Sequence, residues 1–468
     1  MRRLLASLCL TALVAGSAAY AQTSPPSVST AGGDGQPVGG TPPRVTAISA
    51  VTPQKATTFV VNKWTAQVYG FAEFDAIHDT REGVGEVPGN PVLPHAGTYA
   101  ADNGRTQFTI RNSRLGFRFS SPDFRGMKGS GLIETDFFGN QPNGAGGNTE
   151  GSFFNNAGLR VRHAVAKLET PYGDVLGGQY WELFGWQPYF HPNTLEIQGV
   201  PGQIYSRTGQ FRLSETFRSD PVTVEVAVAA LRPPQRDAST PDAQGGLRLA
   251  LNHWQGVHTA GSTGTAVDPL MIGVSGVVRR FALQTPNQPV LTQQSTATGW
   301  GISVDGLIPI IPAKADDRSN ALTATASWVR GQGIQDLYSG FANGIAGVNV
   351  LGTNSVDPGL VAFNGTGLDA IQVRSFMVGL QYYLPVDRGS VWLAGNYSQV
   401  NSDNAMNLAP TSAGSGVFKR QRWADGAIFW DATQSVRFGA EVAWFEDVLR
   451  DNTLAHDQRY QFSMFYLF

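Results

Sequence analysis

The chain ends Tyr460-Gln461-Phe462-Ser463-Met464-Phe465-Tyr466-Leu467-Phe468. Extended backbone sends successive side chains to opposite faces, so this spacing predicts a strand with Tyr460, Phe462, Met464, Tyr466 and Phe468 on one apolar face. Val222-Thr223-Val224-Glu225-Val226-Ala227-Val228 repeats the pattern, with four valines on one face and Thr223, Glu225 and Ala227 on the other. About sixteen such segments follow one another. They lie near residues 65–77, 106–119, 126–137, 159–170, 173–181, 207–218, 221–231, 244–254, 270–283, 297–308, 319–330, 371–384, 388–399, 417–431, 434–446 and 458–468. The spacers alternate in length: Ser219-Asp220 and Ala432-Thr433 are very short, whereas 78–105, 182–206 and 331–370 are long. Strong helical periodicity is missing throughout.

In a hydrocarbon layer every backbone N–H and C=O must be paired inside the protein, so only helices and closed barrels cross it. A tilted strand of about 9–11 residues is long enough. Its lipid face must be apolar while its inner face can be polar, and short turns then alternate with long loops. The predicted fold class is therefore all-β: a transmembrane antiparallel up-and-down β-barrel of about 16 strands. Trp64, Tyr69, Trp300, Trp328, Tyr382, Tyr383, Trp392, Trp444 and Tyr466 fall near strand ends and fit interfacial aromatic girdles. A soluble sandwich array or propeller would also alternate, but it predicts neither the alternating loop lengths nor the aromatic C-terminus.

Composition agrees. Charged residues are only 15% and glycine is 55 of 468, as a wall shared between lipid and lumen requires. An aromatic content of 10% argues against disorder. No apolar run long enough for a membrane helix follows the N-terminus. A net charge of -2 argues against a nucleic-acid partner.

Three regions are expected. Residues 1–21 read as a signal peptide, from Arg2-Arg3 through the short apolar stretch Leu4–Ala15 to the small-x-small site Ala19-Tyr20-Ala21. The single cysteine, Cys9, lies within it, so the exported chain is cysteine-free. Residues 22–63 are a flexible leader rich in Pro, Gly and Ser, and 64–468 form the barrel.

A series of motifs runs through the first third: Val68-Tyr69-Gly70-Phe71-Ala72-Glu73-Phe74-Asp75-Ala76, Ser113-Arg114-Leu115-Gly116-Phe117-Arg118, Glu134-Thr135-Asp136-Phe137-Phe138-Gly139, Leu159-Arg160-Val161-Arg162-His163-Ala164 and Gly177-Gly178-Gln179-Tyr180-Trp181-Glu182-Leu183-Phe184. This series resembles the DcaP-like family of trimeric outer-membrane porins, best over residues 65–210. The resemblance implies a 16-stranded barrel in the bacterial outer membrane, a homotrimer, and uptake of small, preferentially anionic solutes such as dicarboxylates. Family members often carry a coiled coil ahead of the barrel, and the Pro/Gly leader here departs from that. A terminal Phe468 on an alternating strand resembles the signal read by the barrel-insertion machinery.

Arginine outnumbers lysine 28 to 6, and ten arginines fall between Arg105 and Arg218. Arginine at mid-bilayer on the lipid face costs about 2–4 kcal/mol. Arg114 and Arg118, alternating with Leu115, Phe117 and Phe119, are therefore assigned to the lumen. The same parity puts Arg160 and Arg162 inward, opposite Val161 and Val165, with Arg212 further along the wall. Arg111 falls on the other parity, at a rim or trimer contact. Glu73, Asp75, Glu134 and Asp136 are the opposing acids. Guanidinium groups bind carboxylates with two parallel bonds and keep their charge. A basic row facing acids either sets a field across a pore or forms a structural ladder, and the residues alone leave both open.

Leu183–Arg207 is too long for a tight turn and too aromatic for a plain exposed loop. It is expected to fold into the lumen as the constriction, with His191, Glu196 and Arg207 as polar contacts. The seven scattered histidines make no metal spacing, and no nucleophile elbow or P-loop occurs. Neither catalysis, cofactor nor metal is expected. The function read from the sequence is passive diffusion of small hydrophilic, preferably anionic, carboxylate-bearing solutes through an arginine-lined constriction. The alternative is a structural or adhesive barrel with a plugged lumen.

Overall fold

The computed structural model describes residues 57–468 apart from 83, 88, 90–91, 140–156, 188, 197–199, 260–263, 286–292, 314–316, 340–358 and 409–416. The signal peptide and the leader as far as residue 56 lie outside the described residues. The strands are β1 (Thr57–Val61), β2 (Trp64–Asp79), β3 (Arg105–Thr109), β4 (Arg114–Ser120), β5 (Lys128–Gly139), β6 (Gly158–Thr170), β7 (Gly173–Trp181), β8 (Arg207–Arg218), β9 (Val222–Leu231) and β10 (Asp242–Thr259). They continue as β11 (Thr265–Gln284), β12 (Gln294–Ile311), β13 (Leu322–Gln332), β14 (Val361–Phe363), β15 (Leu368–Ala370), β16 (Gln372–Tyr383), β17 (Val391–Asn401), β18 (Phe418–Asp431), β19 (Val436–Leu449) and β20 (Leu454–Leu467).

Each strand from β4 onward pairs antiparallel with the next wall strand, and β14 and β15 form a separate small hairpin. β3 and β4 are two halves of one wall strand, both paired to β2, so the wall has the sixteen staves that the alternation predicts. The seam closes where Phe71–Asp79 of β2 pairs with Leu467–Arg459 of β20. There the backbone of Phe468 exchanges two hydrogen bonds with Gly70, at 2.9 and 3.1 Å. Closure removes both sheet edges, which a chain in lipid cannot leave unpaired. β1 lies within the stretch read as leader, yet it folds back on β2 from Thr57↔Val68 to Val61↔Trp64.

Alternation gives the outer face its chemistry. Tyr460, Phe462, Met464 and Tyr466 are 42–54% exposed, while Gln461, Ser463 and Phe465 between them are buried. Val226 and Val228 point out, whereas Glu225 and Ala227 are buried. Turns on one side are short, such as Pro171-Tyr172 and Ala432–Ser435; on the other side only Arg450–Thr453 is short.

Three sequence expectations change here. Trp64, Trp300, Trp328 and Tyr466 are exposed on the outer face, but Tyr69, Tyr383 and Trp392 are buried at 6% exposure or less and belong to the lumen. Trp392 stacks on Phe429 with ring centres 5.1 Å apart, and the Arg437 guanidinium lies 4.8 Å from its ring. A residue near a strand end is an anchor only if its parity is outward, and these have inward parity.

Arg111 is not at a rim. The chain turns between β3 and β4, with Ser113 N donating to Ile110 O at 3.0 Å, so Arg111 and its neighbour Asn112 both become buried. Val165 is buried on the same side as Arg162, because a bulge on β6, facing Glu134 and Thr135 of β5, makes Arg162 an extra residue. A bulge resets parity for everything beyond it.

Candidate pore and constriction

The segment between β7 and β8 enters the barrel, and its described residues from Glu182 to Tyr205 are almost all buried. Its backbone and side chains attach to the wall in sequence. Phe184 N donates to Gln244 Oε1 of β10 at 2.9 Å, Gly185 N to Ser275 Oγ at 2.8 Å, and Trp186 Nε1 to Val274 O of β11 at 3.0 Å. Further on, Asn396 Nδ2 of β17 donates to Asn193 O at 2.9 Å, and Leu195 N donates to Glu441 Oε2 of β19 at 3.0 Å. The returning arm pairs with the next inward loop: Tyr205 N donates to Leu337 O and Ser339 N to Gln203 O, both at 2.9 Å.

Wall glycines make room for this segment. A Cβ on Gly273 would lie 2.7 Å from Trp186, and one on Gly246 would lie 2.9 Å from the same indole. Gly439 likewise leaves space for Leu195. Trp186, Phe190 and Leu183 fill the niche with Ala250, Met271 and Leu307 of the wall. Arg248, paired to Glu225 of β9, lies 4.0 Å from the Tyr189 ring centre and holds it to the same side.

The opposite wall is ionic. Arg162 Nε donates to Glu134 Oε1 at 2.7 Å, its Nη1 to Asp136 Oδ2 at 3.1 Å, and its Nη2 to Tyr205 Oη at 2.9 Å. Arg160 grips Asp136 with two bonds, Nε at 2.9 Å and Nη2 at 2.6 Å. Arg114 Nε lies 3.7 Å from Glu134 Oε1, and Tyr69 Oη donates to Glu134 Oε2 at 2.7 Å. This ladder joins β2, β4, β5 and β6 and reaches Tyr205 on the inward segment.

Between the two walls lies a polar cavity of about 720 Å³. Five arginines line it, Arg160, Arg207, Arg232, Arg236 and Arg279, against three acids, Glu86, Glu182 and Asp336. Arg279 is paired with Asp242 at 2.9 Å and with Asp336 at 2.5 Å. Among the described residues no carboxylate pairs with Arg207 or Arg232. Arg207 instead lies over Trp181 and Tyr205, 5.0 and 5.1 Å from their ring centres. Burial pushes the Glu182 carboxyl up to about 7, although Arg279 opposes it. Burial raises the Tyr205 phenol too, but Arg162, Arg207 and Arg114 outweigh that and leave it below its ordinary value.

The crystal structure of the outer membrane channel DcaP of Acinetobacter baumannii is similar to this chain at 18% identity, covering 88% of this chain and 99% of that one, with a TM-score of 0.61. The chain has the fold of DcaP. That agrees with the resemblance in the motifs of the first third. Weaker likenesses include Salmonella typhi OmpF in complex with daunomycin, at 12% identity, coverage of 88% and 100% and a TM-score of 0.49. Another is the anion-selective porin from Comamonas acidovorans, at 10% identity, coverage of 86% and 100% and a TM-score of 0.48. No protein-family model and no curated protein sequence matches the chain.

Within the DcaP fold the residues singled out from the sequence fall into five groups. Arg160 and Arg207 border the cavity. Arg114, Arg162, Glu134 and Asp136 form the ladder, so the acids sit beside the arginines on adjoining strands rather than across the pore. Arg118 lies 4.1 Å from the Tyr69 ring centre, and Arg212 donates to Trp181 O at 2.6 Å. Glu73 and Asp75 gather with Glu196 away from the cavity lining. His191 is buried against Trp181 and Tyr205, and burial pushes its imidazole down to about 3, so it stays neutral.

Arg232, Arg236, Arg279, Glu182 and Asp336 were not signalled. Four of them stand in loops, where no parity exists to read. Arg279 had inward parity in β11, between Val278 and Arg280, but a neighbouring second arginine blurred it.

Proposed function

We propose that the protein is a bacterial outer-membrane porin through which small hydrophilic solutes, preferably anions bearing carboxylates such as dicarboxylates, diffuse passively. The observation that carries this reading is the cavity with five arginines against three acids, walled on one side by the inward segment. Ordered arginines favour an anion without a transport cycle: Arg207 lies against the Trp181 and Tyr205 rings, which hold its charge at the edge of the cavity without a carboxylate among the described residues to neutralise it. Size exclusion comes from the segment 182–206, and the field comes from the cavity arginines. The protein works as a homotrimer, and Phe468 at the seam is the residue offered to the barrel-insertion machinery.

Planar-bilayer recordings across a KCl gradient test this. Reversal potentials should show chloride favoured over potassium, and Arg207→Ala should reduce that preference. A cation preference unaltered by Arg207→Ala overturns the anion reading. A correctly folded protein that does not conduct would instead support the plugged barrel.

A further inference from the structure

Glu73 and Asp75 on β2 and Glu196 on the inward segment place carboxylate oxygens within 4.8 Å of one another. All three are buried, at 2%, 0% and 1% exposure. Their hydrogen bonds account for only part of their oxygens. Asn112 Nδ2 donates to Glu73 Oε2 at 2.8 Å, Gln461 Nε2 donates to Asp75 Oδ1 at 3.1 Å, and Ser463 Oγ donates to the same oxygen. Apart from a hydrogen bond that the Glu73 and Asp75 carboxyls share, Glu73 Oε1, Asp75 Oδ2 and both oxygens of Glu196 have no donor among the described residues. Asn112 supplies a separate observation. Its side chain is 1% exposed and held to Glu73 by its amide nitrogen, and its Oδ1 also has no partner.

Arg459 lies near Asp75 and Glu196, but among the described residues no arginine forms an ion pair with the three carboxylates. The Arg459 guanidinium is committed to Asp79, with bonds at 2.7 and 2.9 Å. Arg111 is paired with Glu86. Buried carboxylates without a partner are costly, and a shared proton would satisfy few of the oxygens gathered here. The donors are all hard oxygens, carboxylate and amide, with neither imidazole nor thiolate. That set suits Ca²⁺, which accepts several carboxylates in flexible geometry, better than Zn²⁺ or Cu²⁺.

We infer that Glu73, Asp75, Glu196 and Asn112 form a calcium site that fastens the inward segment to the barrel wall. Glu196 comes from the segment and the other three from β2 and the turn between β3 and β4, so one ion would tie the constriction to the seam region. Leu195, next to Glu196, is already bonded to Glu441 of β19, so the ion would complete an existing attachment. This inference does not rest on the solute preference proposed above.

The test uses the mature chain refolded without lipopolysaccharide, which itself binds calcium. Equilibrium dialysis against ⁴⁵Ca²⁺ should give one tightly bound ion per chain after chelator treatment. Glu196→Gln should weaken binding about tenfold or more, whereas Asp220→Asn, at an acid whose side chain is 89% exposed, should leave it unchanged. Calcium should raise the melting temperature of the wild type and not that of Glu196→Gln. Gel mobility before and after heating reports whether each barrel is folded, and Asp75→Asn replaces Glu196→Gln if that variant does not fold. No bound ion in the folded wild type, or wild-type affinity in the folded Glu196→Gln protein, overturns the site. Neither readout depends on conductance.

Discussion

Two stretches of one wall, β4–β6 and β10–β12, present the same face to lipid and differ in part of what they turn to the lumen. Outside, Leu115 and Phe117 of the first match Ile272 and Val274 of the second. Inside, the first carries Arg114, Glu134, Asp136 and Arg162, while the second offers Gly246, Ala250, Met271, Gly273 and Leu307. The difference teaches how a barrel is partly filled. Where the inner face is small and apolar, Trp186 and Phe190 of the segment settle; the cavity opens where charged side chains gather from both stretches, Arg160 of β6 and Arg279 of β11.

The largest effect expected from breaking the contrast is on the ionic side. Glu134→Ala strips Arg162 and Arg114 of a buried partner, and losing one member of such a pair costs about 3–5 kcal/mol. Unfolding by guanidinium in detergent micelles should show the loss, and Glu134→Gln should recover part of it by still accepting from Tyr69. An unchanged midpoint for Glu134→Ala would mean that the ladder carries no stability.

On the apolar side Gly273→Val tests packing. The added side chain meets Trp186 and Phe190, and overpacking of this kind costs about 1–3 kcal/mol. Because the wall is paired by backbone bonds, the segment should give way first, so single-channel conductance should rise or become noisy while the barrel remains heat-modifiable. Conductance and stability identical to wild type would show that the niche is not filled as described.

Within the cavity, Arg207→Ala removes one charge. A unit charge about 4 Å from a passing ion is worth about 1 kcal/mol in water, attractive for chloride and repulsive for potassium, so the chloride-to-potassium permeability ratio should fall by up to about thirtyfold. Smaller still is the effect of Glu182. With its carboxyl raised to about 7, it is neutral below that pH and negative above it. Chloride preference should therefore increase as pH falls from 8 to 6, and Glu182→Gln should flatten that change. A wild type whose reversal potential is level across this range would remove Glu182 from the conducting path.

Legibility followed local period. The sixteen staves, their outer faces, the closing strand and the inward segment could all be read from alternation and spacer length, because lipid imposes one rule on every strand. Arg114, Arg160 and Arg162 were assigned inward for the same reason. Parity failed at Arg111 and Val165, where a turn and a bulge reset it, and at Tyr383 and Trp392, where an aromatic at a strand end faced the lumen. The loop residues of the cavity, Arg232, Arg236 and Asp336, had no period to betray them.

Alternation along the chain is a local property, set residue by residue by which side meets hydrocarbon, and that is why the barrel, its strand count and its lipid face are written in the primary order. Which arginine is free and which is consumed is a property of neighbours across strands and of a segment crossing the interior. Glu73 and Asp75 meet Glu196 only because the segment after β7 traverses the lumen, and Arg162 loses its freedom because Glu134 and Asp136 of β5 and Tyr205 of that segment surround it. Such contacts join residues far apart in the chain, and the closed barrel alone brings them together.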